Sequence, residues 1–144
     1  MRPSFQLRAA INIGIITKNT KLIFSLEKVD NLVKNGRLSK LAAAVVGLLN
    51  MRMVGEASNE GTLHLLHKVR GEKKAVSSVV DEMIKAGYKG GRVVVTHRNN
   101  EDICRKIQDK LREKFSNIEF MIVPTSGICS FYGEEGGMLL GYEI

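Results

Sequence analysis

From residue 21 onward the chain alternates between stretches of strand character and stretches whose apolar residues recur at helical steps, and this alternation restricts the fold more than any other feature. Residues 21–26 (KLIFSL) read as a short strand. Ser25 is a candidate helix N-cap, with Glu27 in the first turn, where the helix dipole favours a carboxylate. Val29, Leu32 and Val33 give that brief helix one apolar stripe, and Asn35-Gly36 ends it. Ser39 can cap a second helix, whose residues 41–49 are apolar on every side, as in an element buried all round, and Asn50 closes it. Residues 51–58 and 62–69 flank Asn59-Glu60-Gly61, which predicts a β-hairpin. A helix starts near Glu72, with Val76, Val79, Val80, Met83 and Ile84 at three- and four-residue steps and Gly87 as the stop. Residues 92–97 (RVVVTH) predict an interior strand. Asn100 then caps a helix striped by Ile103, Ile107, Leu111 and Phe115, acidic at its start (Glu101, Asp102) and basic at its end (Lys110, Arg112, Lys114). Residues 118–123 and 138–142 are the last strands, joined by a loop. The order predicts an α/β fold: a mixed β-sheet flanked by helices, since βαβ steps demand parallel crossovers while the hairpin adds an antiparallel pair.

The 144 residues suit one domain, divided into a poorly specified N-terminal segment (1–20) and a single α/β domain (21–144). A 44% hydrophobic content is enough for one core, and 26% charged residues hydrate the surface, so a soluble chain is expected. The longest apolar run, residues 41–49, is far short of the ~20 residues of a membrane span. Arg8 and Asn12 interrupt any secretory h-region. Cys104 and Cys129 form no CxxC, so neither a disulfide framework nor a thiolate zinc knot is indicated, and a reducing cytoplasm is the expected setting. The net charge is +7, but residues 59–144 contribute only one unit of it. With no Trp and no aromatics interleaved with Arg, a stacking platform for nucleic acid is missing. A basic module for RNA or an acidic protein partner, motivated by the excess charge in residues 1–58, is the alternative function.

Catalytic groups are sparse. His64 and His67 are three apart on a predicted strand, hence on opposite faces, and do not predict a metal site. His97, at a strand end ahead of Asn99 and Asn100, is better placed for function. Gly127-Ile128-Cys129-Ser130 falls short of a nucleophile elbow, because Phe131 stands where the closing glycine belongs. Cys104 lies on an apolar helix stripe and reads as core. Binding features are clearer. Arg70-Gly71-Glu72-Lys73-Lys74 opens a helix, where basic side chains and backbone donors converge, although GxxxxGK spacing is absent. Gly36-Arg37 offers a guanidinium fork held by a turn, and residues 133–137 (GEEGG) permit close backbone approach to a ligand. The chain is therefore expected to be no enzyme and to use no cofactor or metal.

Several segments acquire more weight when read in order. Phe24-Ser25-Leu26, Val29-Asp30-Asn31-Leu32, Asn35-Gly36-Arg37-Leu38-Ser39-Lys40, the apolar helix, Lys68-Val69-Arg70-Gly71 with Lys73-Lys74-Ala75, and RVVVTH together resemble the C-terminal half of the DegV family of bacterial fatty-acid-binding proteins, over about residues 20–144. The resemblance implies carriage rather than turnover: a long-chain fatty acid enclosed between two domains and presented to a fatty-acid kinase. It also implies that this chain is one half, lacking the N-terminal domain whose hydroxyl side chains hold the carboxylate. On that footing Arg37 is the charged group near the carboxylate; Leu38, Ser39, Leu41, Val45 and Leu48 form a wall; Tyr132, Gly136 and Gly137 belong to the closing loop; and Arg70, Lys73 and Lys74 face the partner. One departure is visible. The family's ending of His followed by Gly-Pro-Gly is replaced here by residues 131–137 (FYGEEGG), which leaves Tyr132 to substitute for the histidine.

Overall fold

A computed structural model describes residues 18–39 and 50–144. The apolar helix expected over 41–49, with Leu41, Val45 and Leu48, lies outside the described residues. In chain order the elements are β1 (Thr20–Leu26), α1 (Asp30–Lys34), β2 (Met51–Ala57), β3 (Leu63–Arg70), α2 (Glu72–Lys85), β4 (Gly91–His97), α3 (Glu101–Arg112), β5 (Ile118–Pro124), α4 (Gly127–Gly133) and β6 (Met138–Glu143).

The six strands form one mixed sheet in the order β3-β2-β1-β6-β4-β5. β4 and β5 run parallel across the α3 crossover, and the other neighbours are antiparallel. The expected hairpin is present: Ser58 and Thr62 close it through a backbone bond of 2.9 Å, and Gly61 takes the positive φ its turn requires. Asn100 caps α3 by accepting from the Ile103 amide.

Strand alternation gives the sheet two apolar faces, and the described residues cover them unequally. One carries Ile23, Val54, Val93, Val95, Met138 and Leu140, packed beneath the stripes of α2 and α3. Cys104 is wholly buried there, as its place on the stripe predicted. The other face carries Phe24, Leu26 and Met53, over which, among the described residues, Val29 and Leu32 close a small second core with Leu38 and Tyr132 packed against it. Strand registers put Leu22, Leu63, Val94 and Met121 on that side as well, and all four remain exposed. β4 is interior in the sheet, as expected, yet its Val94 opens to this uncovered side.

Two local expectations are corrected. Ser25 caps no helix; it lies within β1, paired with Val54 on one side and Met138 on the other, because two-sided strand pairing outweighs a local capping preference. Glu27 accordingly leaves the helix start. It pairs with Arg52, which is 8% exposed and also bonds Glu72 at 3.1 Å. The second correction lies in the predicted loop, where residues 127–133 form α4. Among the described residues no helix is long and apolar enough to cross a membrane.

The Arg52 pairing ties β1, β2 and α2 together. Arg52→Ala should lower unfolding free energy by about 2–3 kcal/mol, below the usual cost of breaking a buried pair because both carboxylates keep some contact with water. Urea unfolding would measure this, and an unchanged midpoint would reduce the pairing to a surface contact.

Candidate functional site

The uncovered face contains a groove of about 430 Å³, within the range of small-molecule sites. Phe24, Leu26 and Leu139 belong to its sheet side, Leu32 to α1, Tyr132 and Cys129 to α4, and Arg37 to the turn after α1. A wider, more polar hollow of about 870 Å³ adjoins it along the same face through Leu22, with Lys18, Lys21 and Arg92 among its lining residues. The smaller groove is the better candidate, because its walls are mainly apolar and a cation and a phenol converge on it.

Each wall has a local cause. The even-numbered residues of β1 alternate onto this side, and Phe24 stands in register with Gly55 and Leu139. A Cβ at Gly55 would sit 2.5 Å from the Phe24 ring and 2.5 Å from the His64 carbonyl oxygen, so only glycine lets the ring lie across β2. Gly36, at φ +67°, ends α1, and the Arg37 and Leu38 amides both turn back to the Leu32 carbonyl. That reversal carries Leu38 into the small second core and Arg37 to the rim, its guanidinium 5.9 Å from the centre of the Tyr132 ring. Tyr132 in turn packs edge-to-face on Phe131 at 5.0 Å.

The expected site residues divide into three groups. Arg37 and Tyr132 meet at the groove, Leu38 packs behind it, and exposed Ser39 ends the described segment. Gly136 and Gly137 are buried and brace the loop: a side chain on Gly136 would run into the Glu27 carboxylate, and one on Gly137 into the Gly133 carbonyl. Their backbone also bonds Arg98, with Gly136 donating to its carbonyl and Gly137 accepting from its amide. Arg70, Lys73 and Lys74 are exposed where β3 passes into α2, which packs on the opposite side of the sheet. The sequence reading missed Leu139, Gly55 and the groove position of Cys129. Alternation along β1 and β6 carried a signal for Leu139.

The histidines are engaged elsewhere. His64 pairs with Glu56 at 3.2 Å and His67 with Glu82 at 2.8 Å, while His97 accepts the Asn100 amide through Nδ1. The His67 bond is the main reason the Glu82 carboxyl is held below its ordinary range. The described residues contain no cluster of three or more His, Cys, Asp or Glu able to hold a metal ion.

The two thiols should behave differently. Burial, helped by Glu101, pushes Cys104 up to about 12, whereas Cys129 is exposed beside the groove. A colorimetric thiol titration near pH 8 should count one reactive cysteine in the folded chain and two in denaturant. Gly55→Ala should cost about 2–3 kcal/mol by driving the Phe24 ring off β2. Adding Phe24→Leu should recover part of that loss in urea unfolding, and no recovery would place the conflict at the His64 carbonyl alone.

Comparison with known proteins agrees with this geometry. The family profile described as uncharacterised protein, DegV family, matches residues 9–143. A DegV domain-containing protein of Streptococcus pneumoniae is 61% identical over 127 residues, covering 88% of this chain and 45% of that protein. Among solved structures, the Streptococcus pneumoniae fatty acid kinase (Fak) B3 protein loaded with linoleic acid superposes with a TM-score of 0.93 at 57% identity, over 99% of this chain and 50% of that one. A DegV family protein from Eubacterium eligens loaded with heptadecanoic acid gives 0.92 at 33% identity, over 98% and 51%. The chain thus spans about half the length of these relatives. With the profile match over nearly its whole length, the chain belongs to the DegV family.

Proposed function

We propose that this chain forms one half of a fatty-acid carrier, which holds an acyl chain without converting it and presents the carboxyl group to a fatty-acid kinase. The observation that carries this reading is the apolar groove on the uncovered sheet face, rimmed by Arg37 and Tyr132. Each methylene moved from water into such a groove contributes about 0.8 kcal/mol, so the tail supplies most of the affinity and a few polar groups orient the head. Arg37 pairs with the carboxylate and the Tyr132 hydroxyl supports it. Leu38 and Ser39 extend the wall on the α1 side, Leu41, Val45 and Leu48 contact the acyl chain, and the Gly136-Gly137 backbone holds the closing loop. The part of the relatives that this chain does not match covers the exposed apolar face and encloses the ligand. Arg70, Lys73 and Lys74, across the sheet, form the basic surface that the kinase contacts. A cytoplasmic setting suits two unpaired cysteines.

The test is a chimera in which this chain replaces the half of the linoleate-loaded Streptococcus pneumoniae protein that it matches. Native mass spectrometry should find the folded chimera carrying fatty acid. Arg37→Ala should leave its fold unchanged and weaken fatty-acid binding by about tenfold, the scale of one charge-assisted hydrogen bond. A folded chimera that never carries lipid would count against the proposal, and unchanged affinity in the Arg37 variant would reduce that residue to a structural role.

A further inference from the structure

The helix that delivers Arg37 to the groove has five residues, too few to be stable alone. Its N-cap residue is Val29, which has no side-chain acceptor for the first amides. The missing acceptor comes from 103 positions away: the Asn31 amide donates to Oε2 of Glu134 at 3.0 Å. A second bond runs between the same two helices, with Asn31 Nδ2 donating to the Phe131 carbonyl at 2.9 Å. Glu134 holds this contact at φ 53°, ψ −173°, a backbone region in which only glycine is unstrained. It lies in a glycine-rich turn, yet a glutamate occupies the strained place and is only 9% exposed. Its neighbour Glu135 points the other way, to Asn99 at 3.1 Å, so the inward direction belongs to Glu134 alone of the pair.

We propose that Glu134 is a positioning residue for the groove: its carboxylate caps α1 from across the chain, locks α1 to α4, and so sets Arg37 against Tyr132 without touching the ligand. The proposal deepens the fatty-acid reading and rests on it for the ligand's identity. The backbone strain fits this role. Glycine would relieve the strain but could not cap α1, so the side chain is retained for the contact it makes.

Two variants of the full chain test this. Glu134→Gly removes the cap while easing the backbone, so the fold itself is not threatened; Glu134→Gln keeps an acceptor oxygen in the same place. In hydrogen exchange, Glu134→Gly should accelerate the amides of residues 31–38 by about tenfold, the scale of one lost charge-assisted bond, while leaving those of the sheet, α2 and α3 unchanged. In the chimera that tests fatty-acid binding, linoleic acid affinity should fall by a similar factor, and Glu134→Gln should restore both. Unchanged exchange in α1 would overturn the proposal, as would accelerated exchange with wild-type linoleate affinity. If the chimera with Glu134 unaltered binds no linoleate, that result counts against the lipid reading, and the exchange data alone decide whether Glu134 caps α1.

Discussion

The position of β6 is the constraint on which the rest of the structure depends. The last strand in sequence is inserted between β1 and β4, antiparallel to both, and it alone joins the three-stranded meander to the parallel βαβ unit. Its alternating side chains are shared between the two sides of the sheet. Met138, Leu140 and Tyr142 enter the helical core, where Tyr142 meets the Tyr88 ring edge-on at 5.9 Å and Tyr88 meets Phe115 at 5.2 Å. Leu139 and Gly141 turn to the other side. Gly141 stands in register between Leu22 and Val94, and with no side chain of its own it keeps that stretch of floor low.

The unequal dressing of the two faces follows from connection lengths and helix sizes. The links from β3 to β4 and from β4 to β5 carry helices of 14 and 12 residues, each long enough to cover several strands, and both lie on one side. Among the described residues, the opposite side receives only helices of 5 and 7 residues, and Leu22, Leu63, Val94 and Met121 stay exposed there. Charge is arranged differently. At the end of the sheet Glu27, Arg52, Glu72, Lys106 and Asp102 alternate in sign as a connected series linking β1, β2, α2 and α3. Bases that add to the net charge are here neutralised in place, which leaves less free positive surface than the sequence total suggests.

What could be read in the sequence was whatever depends on near neighbours. The stripes of α2 and α3, the Asn100 cap and the Asn59-Glu60-Gly61 turn are set within a few residues of themselves, and they stand where periodicity puts them. Ser25 misled because its capping chemistry is local while the strand pairs that hold it come from Val54 and Met138. α4 was invisible as a helix for a related reason. Ile128 and Phe131 remain exposed, so it has no continuous apolar stripe, and α1, with which it exchanges hydrogen bonds, lies about a hundred positions earlier. At the groove, Gly36 announced the turn that aims Arg37, but the meeting of Arg37 with Tyr132 is a product of tertiary folding. The DegV resemblance named Arg37 and Tyr132 separately for the ligand head, but not their contact with each other.

The groove joins two kinds of structure with different resistance to opening. Its floor belongs to the sheet, where Phe24 is fixed between Gly55 and Leu139 by ladders on both sides. Its rim belongs to short helices held by a few long-range hydrogen bonds, and such elements open at lower free energy than strands paired on two edges. A long apolar ligand needs both. On the fatty-acid reading, the fixed floor presents buried area that does not have to be ordered on binding. The Asn31–Glu134 contact holds α1 to the end of α4 while the sheet beneath them is held by separate bonds, so the geometry of the rim and that of the floor are set independently.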